Sequence, residues 1–331
     1  MKNSYIQDIA YYVPEQILTN NDLSKLMDTS DEWIKTRTGI RQRYTVGESN
    51  LGPADLAVKA TSKLLNKCNV LKSDIDFVVF ATSTPDFFVP GSGSIFQDKM
   101  GLDNIGVLDI RQGCSGFIYA LSVADKFIKS EVYNNILVIG AEVQTTQLDF
   151  NDEGRGTAVL FGDGATACIL SGTKENKGIL SCHLHSDGRY VKELGTEYPS
   201  SRYKDIITED NVRDRKHHIQ MNGREVFRHA VRRFPEVIIE GLEYNRLTLD
   251  DVGIVIPHQA NYRITQAVQK QLGIPDDKIF SNIHKYGNTT AASIGIALSE
   301  ALDENKIKNN DIVVLAAFGA GFYWGSVIIR W

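Results

Sequence analysis

An internal repetition constrains the fold of this chain more than any other feature of its sequence. A buried-strand pattern, a turn, a helix-like stretch, a second strand and a glycine turn into a third strand follow one another from 104 to 172. The same order returns from 279 to 331, and Cys114 and Asn288 take the same place in the two copies, the turn that leads into the helix. The repetition predicts an α/β protein made of two similar halves stacked together.

The hydrophobic pattern divides each predicted half into elements. In the first half, at 1–173, it predicts strands at 76–82, 104–110 and 134–142, a helix at 114–130 and a strand hairpin at 157–172 around Gly-Asp-Gly. In the second half, at 174–331, it predicts strands at 253–259, 279–283, 311–321 and 322–331 and helices at 261–273 and 288–305. The stretch 186–220 is polar and irregular, and we expect it to cross the surface or a binding site.

Charge, hydropathy and cysteine spacing exclude several classes of protein. The formal net charge of −5 argues against general binding of nucleic acid. The chain has no apolar run of about eighteen residues, so no membrane span is expected, and its N-terminus lacks the apolar core of a signal peptide. The four cysteines form neither a CxxC pair nor a zinc-binding spacing. We therefore expect a cytoplasmic protein with free thiols.

Cys114 stands where a strand pattern gives way to a helix pattern, in the stretch DIRQGCSGFIYAL (109–121). A thiol in the first turn of a helix feels the positive end of the helix dipole, which favours the thiolate. Gly113 and Gly116 permit a sharp bend that exposes the side chain at the end of the sheet. These residues alone do not decide whether Cys114 is a nucleophile or a small buried core residue.

Two further residues lie at comparable turns of the second half. His258 follows the predicted strand 253–259 at the sheet edge where open α/β sheets bind ligands. Asn288 begins a predicted helix, where a plain N-cap explains it as well as a functional amide does. Gly319 and Gly321 separate two strands, and the backbone N–H groups there either bind an oxyanion or simply form a tight turn.

Eight blocks of sequence, in order and over almost the whole chain, resemble the β-ketoacyl-ACP synthase III family of condensing enzymes. They are TSDEWIKTRTGIRQR (29–43), CSGFIYALSVAD (114–125), GRGTAVLFGDGA (154–165), HLHSDG (183–188), REVFRHAV (224–231), PHQANYRI (257–264), YGNTTAAS (286–293) and FGAGFYWGS (318–326). The resemblance implies the thiolase fold, two similar α/β halves in a layered α-β-α-β-α arrangement. It also implies that the nucleophile belongs to the first half and the histidine and asparagine to the second.

The resemblance assigns roles to residues of this chain. The catalytic residues would be Cys114, His258 and Asn288. The backbone N–H groups of Cys114 and Ala320 would form the oxyanion hole, with Ala320 standing where the family has the middle glycine of three. The residues implied for coenzyme A are Trp33, Arg37, Arg155, Phe227 and Asn261, with the adenine between Trp33 and Arg155. The residues implied for the acyl pocket are Val89 and Leu160.

The implied reaction is a decarboxylating Claisen condensation that starts fatty-acid synthesis. An acyl-CoA would acylate Cys114, and malonyl-ACP would then supply the carbanion that yields 3-oxoacyl-ACP, CoA and CO2, with no cofactor and no metal. The enzyme would be a homodimer. Acyl carrier proteins are acidic, so we expect a basic docking face, for which the candidates are Arg224, Arg228, Arg232, Arg263 and Lys270. The alternative for these residues is a solvated basic helix face.

Three other functions remain to be weighed against this one. A specialised ketosynthase would use the same three catalytic residues to prime a secondary lipid or polyketide with a longer or aromatic starter. The intact catalytic residues disfavour a silent binding subunit, and the coenzyme A block disfavours a cysteine hydrolase. Arg111 and Gln112 replace the small residues usual before the family's cysteine. Either Arg111 pairs with Asp109, two residues earlier on the same strand face, or these residues alter the acyl pocket.

Overall fold

The computed structural model of the chain describes residues 2–331, which form thirteen β-strands and eleven α-helices. The strands are β1 (Asn3–Tyr12), β2 (Gln16–Thr19), β3 (Gln42–Thr45), β4 (Phe77–Ala81), β5 (Gly106–Ile110), β6 (Asn135–Glu142), β7 (Gly164–Thr173), β8 (Gly178–Ser186), β9 (Leu194–Gly195), β10 (Gln220–Met221), β11 (Val252–Pro257), β12 (Ile312–Gly319) and β13 (Tyr323–Arg330). The helices are α1 (Asn20–Leu23), α2 (Asp31–Thr38), α3 (Pro53–Lys67), α4 (Ser92–Met100), α5 (Gly116–Lys129), α6 (Arg155–Ala158), α7 (Glu209–Arg213), α8 (Gly223–Tyr244), α9 (Tyr262–Leu272), α10 (Ile283–Tyr286) and α11 (Ser293–Asp303).

Two main sheets repeat one topology, which confirms the predicted α/β fold with two similar halves. The first sheet has the order β1-β7-β6-β4-β5, with β4 parallel to both neighbours and β7 antiparallel to both of its own. The second has the order β11-β12-β13-β8, with β11 parallel to β12 and β13 antiparallel to both neighbours. In strand order and in parallel or antiparallel pairing, the second sheet therefore corresponds to the strands β4-β6-β7-β1 of the first sheet. A single parallel bridge between Val255 and Ile279 stands at the place of β5.

The elements stack in five layers, helix-sheet-helix-sheet-helix. Helices α5 and α11 lie between the sheets, and their side chains share one core cluster with strands of both, including Phe117 and Ile294. Because α5 is apolar on most of its surface, it is stable only in such a buried position. Helices α3 and α4 cover the outer face of the first sheet, and α8 and α9 that of the second. The predicted division at 173/174 falls between β7 and β8.

Two element predictions are wrong. The hairpin predicted at 157–172 is one strand, β7, preceded by the helical turn α6. The segment predicted as the first strand of the hairpin forms backbone hydrogen bonds to Asn288 instead of to β7. The Asn288 N–H donates to the Leu160 carbonyl at 2.8 Å, and the Gly162 N–H donates to the Asn288 carbonyl at 3.0 Å. The strand predicted at 279–283 is reduced to the bridge at Ile279, since the chain turns at once into α10.

The stretch 186–220 crosses a cavity rather than only the surface. It contains the short elements β9, α7 and β10. Leu194 in β9 lines the cavity described below, and so does Met221, the residue that directly follows the stretch. No helix of residues 2–331 combines the length and the apolar character that crossing a membrane requires.

Candidate active site

One cavity of about 560 Å³ brings most of the sequence-predicted site residues together. Its lining includes Trp33, Arg37, Cys114, Leu160, Arg224, Phe227, His258, Asn261, Arg263 and Asn288. The apolar part of its wall consists of Val159, Phe161, Leu194, Met221, Ala230, Phe234, Ile264 and Phe318. The predicted residues outside this lining are Val89, Arg155, Arg228, Arg232, Lys270 and Ala320. The cavity thus joins three polar groups of the two halves to a largely apolar channel.

Cys114 lies in the 3-10 turn Gly113–Ser115, between β5 and α5, and is 5% exposed. Burial, and secondarily the charge of Glu142, raises the pKa of this thiol to about 12. The nearby backbone N–H groups of Cys114 itself and of Ala320 act in the opposite direction and lower the pKa. The expectation that the helix start favours a thiolate is therefore wrong for this conformation, because desolvation of the negative sulfur outweighs the helix dipole.

The hairpin between β12 and β13 packs directly on Cys114. A Cβ added to Gly319 would lie 2.6 Å from the Cys114 Cβ and 3.2 Å from its Sγ, so only glycine fits there. Gly113, with φ +49°, precedes the cysteine, and a Cβ added there would lie 3.4 Å from the Ala320 Cβ. The Ala320 N–H lies near enough to the sulfur to lower the pKa of the thiol, so both backbone donors of the expected oxyanion hole stand beside the nucleophile.

His258 follows β11 directly and is 2% exposed. Its backbone N–H donates to the Ala316 carbonyl at 2.8 Å, which fixes the loop at the sheet edge. Its Nδ1 lies 2.5 Å from the Ser293 Oγ, whereas its Nε2 is buried without a hydrogen-bond partner among the described residues. Burial lowers the pKa of the imidazole to about 3, so the ring is neutral at pH 7.

Asn288 precedes the 3-10 turn Thr290–Ala292 that leads into α11. Its Oδ1 accepts a hydrogen bond from the Thr290 N–H at 2.9 Å, but the N-cap of the turn is Thr289, so Asn288 lies one residue before the position that the capping interpretation gives it. This bond uses the amide oxygen and leaves the NH₂ group for the cavity. Thr290 has φ +45°, a strained conformation for a β-branched residue, and such strain persists only where the surroundings enforce it.

The mouth of the cavity is aromatic and basic. The guanidinium of Arg37 lies 4.6 Å from the centroid of the Trp33 ring and that of Arg155 lies 5.1 Å from it. Arg155 also donates to the Asp28 carbonyl at 2.5 Å. An aromatic ring between Trp33 and Arg155 needs about 7 Å, two contacts of about 3.5 Å each, so Arg155 has to move before both can enclose an adenine.

The candidate docking arginines fall into two groups. Arg224 and Arg263, like Arg37, line the mouth, and none of the three has a carboxylate within 4.0 Å among residues 2–331. Arg228 and Arg232 lie further along α8 and are paired with Glu225 and Glu236 respectively. The fifth docking candidate, Lys270 on α9, is exposed and does not line the cavity. Positive charge that is free to meet a ligand is therefore concentrated at the mouth.

Val89 does not line the cavity of its own chain. It is 79% exposed, and Phe87, Phe88 and Leu108 are exposed apolar residues as well. Leu108 lies in β5, the edge strand of the first sheet, which is unpaired on its outer side. The assignment of Val89 to an acyl pocket therefore needs correction within one chain, because the segment that carries it extends outward from β4.

The predicted pair between Asp109 and Arg111 is absent. Arg111 is exposed and has no carboxylate within 4.0 Å among the described residues. Asp109 instead accepts a hydrogen bond from the Gly93 N–H at 3.0 Å, and partial burial raises the pKa of its carboxyl group. The Oε1 of Gln112 is buried without a hydrogen-bond partner. Arg111 and Gln112 both follow the edge strand β5 directly, and neither side chain gains an ion pair there among the described residues.

Two buried polar residues of the site were missed in the sequence. Glu142 ends β6, is fully buried and accepts hydrogen bonds from Ser83 and Thr84, and burial raises the pKa of its carboxyl group to about 7. Ser293 begins α11 and contacts His258. A glutamate at the end of an otherwise apolar strand could have indicated the first of these. Nothing in the sequence pattern distinguishes Ser293 from an ordinary helix-start serine.

The chemistry available in the cavity is that of acyl transfer. It offers a thiol with two backbone N–H groups near it, a neutral imidazole and a side-chain amide. Within residues 2–331 no group of three or more His, Cys, Asp or Glu side chains is arranged to hold a metal ion.

Comparisons with known proteins agree with this geometry. Residues 108–188 match the family model for 3-oxoacyl-[acyl-carrier-protein (ACP)] synthase III, and residues 242–331 match the model for its C-terminal part. The chain is 42% identical over 329 residues to a β-ketoacyl-[acyl-carrier-protein] synthase III of Oceanobacillus iheyensis, covering 99% of both chains. The crystal structure of the Aquifex aeolicus 3-oxoacyl-[acyl-carrier-protein] synthase III superposes with a TM-score of 0.91 at 40% identity, covering 99% of this chain and 100% of that one. A priming β-ketosynthase of a polyketide pathway superposes with a TM-score of 0.89 at 29% identity, covering 99% and 96%.

Proposed function

The chain belongs to the β-ketoacyl-[acyl-carrier-protein] synthase III family, and we propose on that premise that Cys114, His258 and Asn288 carry out its condensation. The enzyme is an acyltransferase that joins the acyl group of an acyl-CoA to malonyl-ACP and releases CoA, CO2 and 3-oxoacyl-ACP, the first step of fatty-acid synthesis. The observation that carries the residue assignment is the shared cavity, into which both halves contribute these side chains.

The first half-reaction transfers the acyl group to the enzyme. The Cys114 sulfur attacks the thioester carbonyl, and the N–H groups of Cys114 and Ala320 stabilise the oxyanion of the tetrahedral intermediate. The C–S bond to CoA then breaks, and the thiol proton leaves with CoA. Because the resting thiol is neutral, this proton is lost only as the new bond forms. A buried, uncharged cysteine is consequently protected from other electrophiles.

The second half-reaction uses the other two side chains. His258 Nε2 and the Asn288 NH₂ group donate hydrogen bonds to the thioester oxygen of malonyl-ACP and stabilise the enolate as CO2 departs. The carbanion attacks the acyl-cysteine carbonyl, a C–C bond forms, and Cys114 leaves as a thiolate that takes up a proton from water. A histidine that is neutral at pH 7 suits this role, because a donor is required and a base is not.

Half-reaction assays on single variants test these assignments. Cys114→Ala should give no acyl adduct by intact-protein mass spectrometry after mixing with acyl-CoA. His258→Ala and Asn288→Ala should still form the adduct but release no CO2 from malonyl-ACP. An adduct on Cys114→Ala rejects the nucleophile, and loss of the adduct in both other variants assigns them to activation of the thiol instead.

The cavity mouth supports binding of CoA and of the phosphopantetheine arm. Trp33 offers a stacking face for adenine, and Arg37, Arg224 and Arg263 offer unpaired positive charge for phosphates. Phe227 and Asn261 line the channel below them. We assign docking of the acidic carrier protein chiefly to Arg224 and Arg263. The other two candidate arginines, Arg228 and Arg232, have carboxylate partners that offset their charge.

The edge strand β5 supports a homodimer. It exposes Leu108, and the segment after β4 exposes Phe87, Phe88 and Val89; an unpaired strand edge is a template for pairing with another chain, and exposed apolar residues mark such surfaces. In such a dimer, Val89 can contribute to an acyl pocket only across the subunit interface. A cytoplasmic location is supported by the four cysteines, none of which forms a disulfide.

A second candidate is a specialised ketosynthase that accepts a longer or aromatic starter. The likeness to a priming β-ketosynthase and the departure at Arg111 and Gln112 favour it. A competition among acyl-CoAs from C2 to C12, read as adducts on the protein, separates the two. Preference for C2 to C5 chains supports the initiating enzyme, and preference for C8 or longer supports the specialised one.

A further inference from the structure

The two nitrogens of the His258 ring have different surroundings. Nδ1 lies 2.5 Å from the Ser293 Oγ at the first residue of α11, and both residues are 2% exposed. Nε2, on the other edge of the ring, is buried without a partner among the described residues, and His258 lines the cavity beside Cys114 and Asn288. The nitrogen left for a substrate is therefore Nε2.

The hydrogen bonds of Ser293 determine the direction of this contact. Its Oγ accepts from the Gln259 N–H at 3.4 Å, and His258 Nδ1 is the one acceptor within reach of its hydroxyl proton among residues 2–331. If Nδ1 carried a proton, it would donate to Oγ, and the buried hydroxyl proton would be left unpaired. If the hydroxyl donates to Nδ1, both groups of this contact are satisfied and the ring proton must be on Nε2, where it is the one donor of the ring left for a ligand in the cavity.

We propose that Ser293 is a positioning residue that holds His258 with its proton on Nε2, so that the ring can donate to the thioester oxygen of malonyl-ACP. The inference rests on the proposed function and extends it to the tautomer of the histidine. Because the Ser293 hydroxyl makes no hydrogen bond to Cys114 and Ser293 does not line the cavity, the acylation half-reaction should not depend on it. This separates its role from a general structural one.

Three variants test the proposal. Ser293→Ala should acylate at a rate within about twofold of wild type, while CO2 release falls about 10-fold, the rate equivalent of one neutral hydrogen bond, with little change in KM for malonyl-ACP. Ser293→Thr keeps the hydroxyl and should recover most of the loss. Ser299→Ala removes another buried hydroxyl of α11 and should behave as wild type. Undiminished CO2 release in Ser293→Ala, or an equal loss in both half-reactions, overturns the proposal.

A spectroscopic test reads the tautomer without reference to activity. Long-range 1H–15N correlations of 15N-histidine-labelled enzyme, assigned by comparison with His258→Ala, should place the proton of His258 on Nε2. In Ser293→Ala the spectrum should show a mixture of tautomers or a mobile ring. A proton on Nδ1 in the unmodified enzyme overturns the inference whatever the activity, whereas an Nε2 proton in an enzyme without condensing activity overturns the proposed function alone.

Discussion

Replacement of Gly319 by alanine tests how the hairpin and the nucleophile depend on each other. The new methyl group would lie 2.6 Å from the Cys114 Cβ and 3.0 Å from its backbone nitrogen. Carbon atoms in contact are normally about 3.5–4.0 Å apart, so the hairpin and the cysteine must separate by about 1 Å. That movement removes the Ala320 N–H from the sulfur. A displacement of about 1 Å in an active site costs on the order of 100-fold in rate, and overpacking of this kind costs about 1–3 kcal/mol of stability.

The assay is the single-turnover rate of adduct formation with acyl-CoA, measured on protein that still unfolds cooperatively on heating. Gly188→Ala is the control for stability, because a Cβ there meets nothing within 4 Å. Ala320→Gly is the control for the loop, since it removes a methyl group and leaves the backbone donor. A folded Gly319→Ala enzyme that acylates within about threefold of wild type would refute the argument that this contact fixes the oxyanion hole.

Further predictions concern charge, docking and assembly. Burial raises the pKa of Glu142 from 4.5 to about 7, so the native state holds a proton that the unfolded chain has released. The free energy of unfolding of the wild type therefore falls by about 3 kcal/mol as pH rises from 4.5 to above 7. Glu142→Gln lacks this titration, so its stability deficit relative to wild type should shrink between pH 5 and pH 8 in thermal melts. A deficit that does not change with pH contradicts this. Charge reversal of Arg224 and Arg263 should raise KM for malonyl-ACP at least about tenfold, because both side chains carry positive charge that no carboxylate offsets. The same change at Arg228 and Arg232, which are paired with glutamates, should raise KM less. Equal effects from both pairs would reject the mouth as the docking face. Leu108→Glu should shift the enzyme from dimer to monomer in analytical ultracentrifugation, and an unchanged sedimentation profile would reject β5 as the interface.

The fold could be predicted from sequence because the signal was repeated. Strand and helix periodicities appear in the same order in both halves, and a duplicated order admits few topologies. The failures occurred where the chain leaves the regular pattern. Residues 157–162 have the composition of a strand, but tertiary bonds to Asn288 turn them into a helical turn and one short bridge. Local sequence preferences cannot reveal hydrogen bonds to a residue that is more than 120 positions away in the chain.

The candidate site was predicted less evenly than the fold. Residues within the family-like blocks, such as His258 and Asn288, line the cavity as expected. The protonation of Cys114 was not predictable, because the helix dipole can be inferred from sequence whereas the depth of burial that opposes it cannot. Val89 illustrates a second limit, since its side chain lies at a surface that one chain alone leaves open.

The central claim is that one cysteine carries the acyl group between two half-reactions. The most direct measurement is intact-protein and peptide mass spectrometry of the enzyme mixed first with acyl-CoA and then with malonyl-ACP. The account predicts an acyl mass on the peptide that contains Cys114, followed by its disappearance as 3-oxoacyl-ACP and CO2 form in equal amounts. An adduct on another residue, or 3-oxoacyl-ACP formed by Cys114→Ala without any adduct, would contradict it.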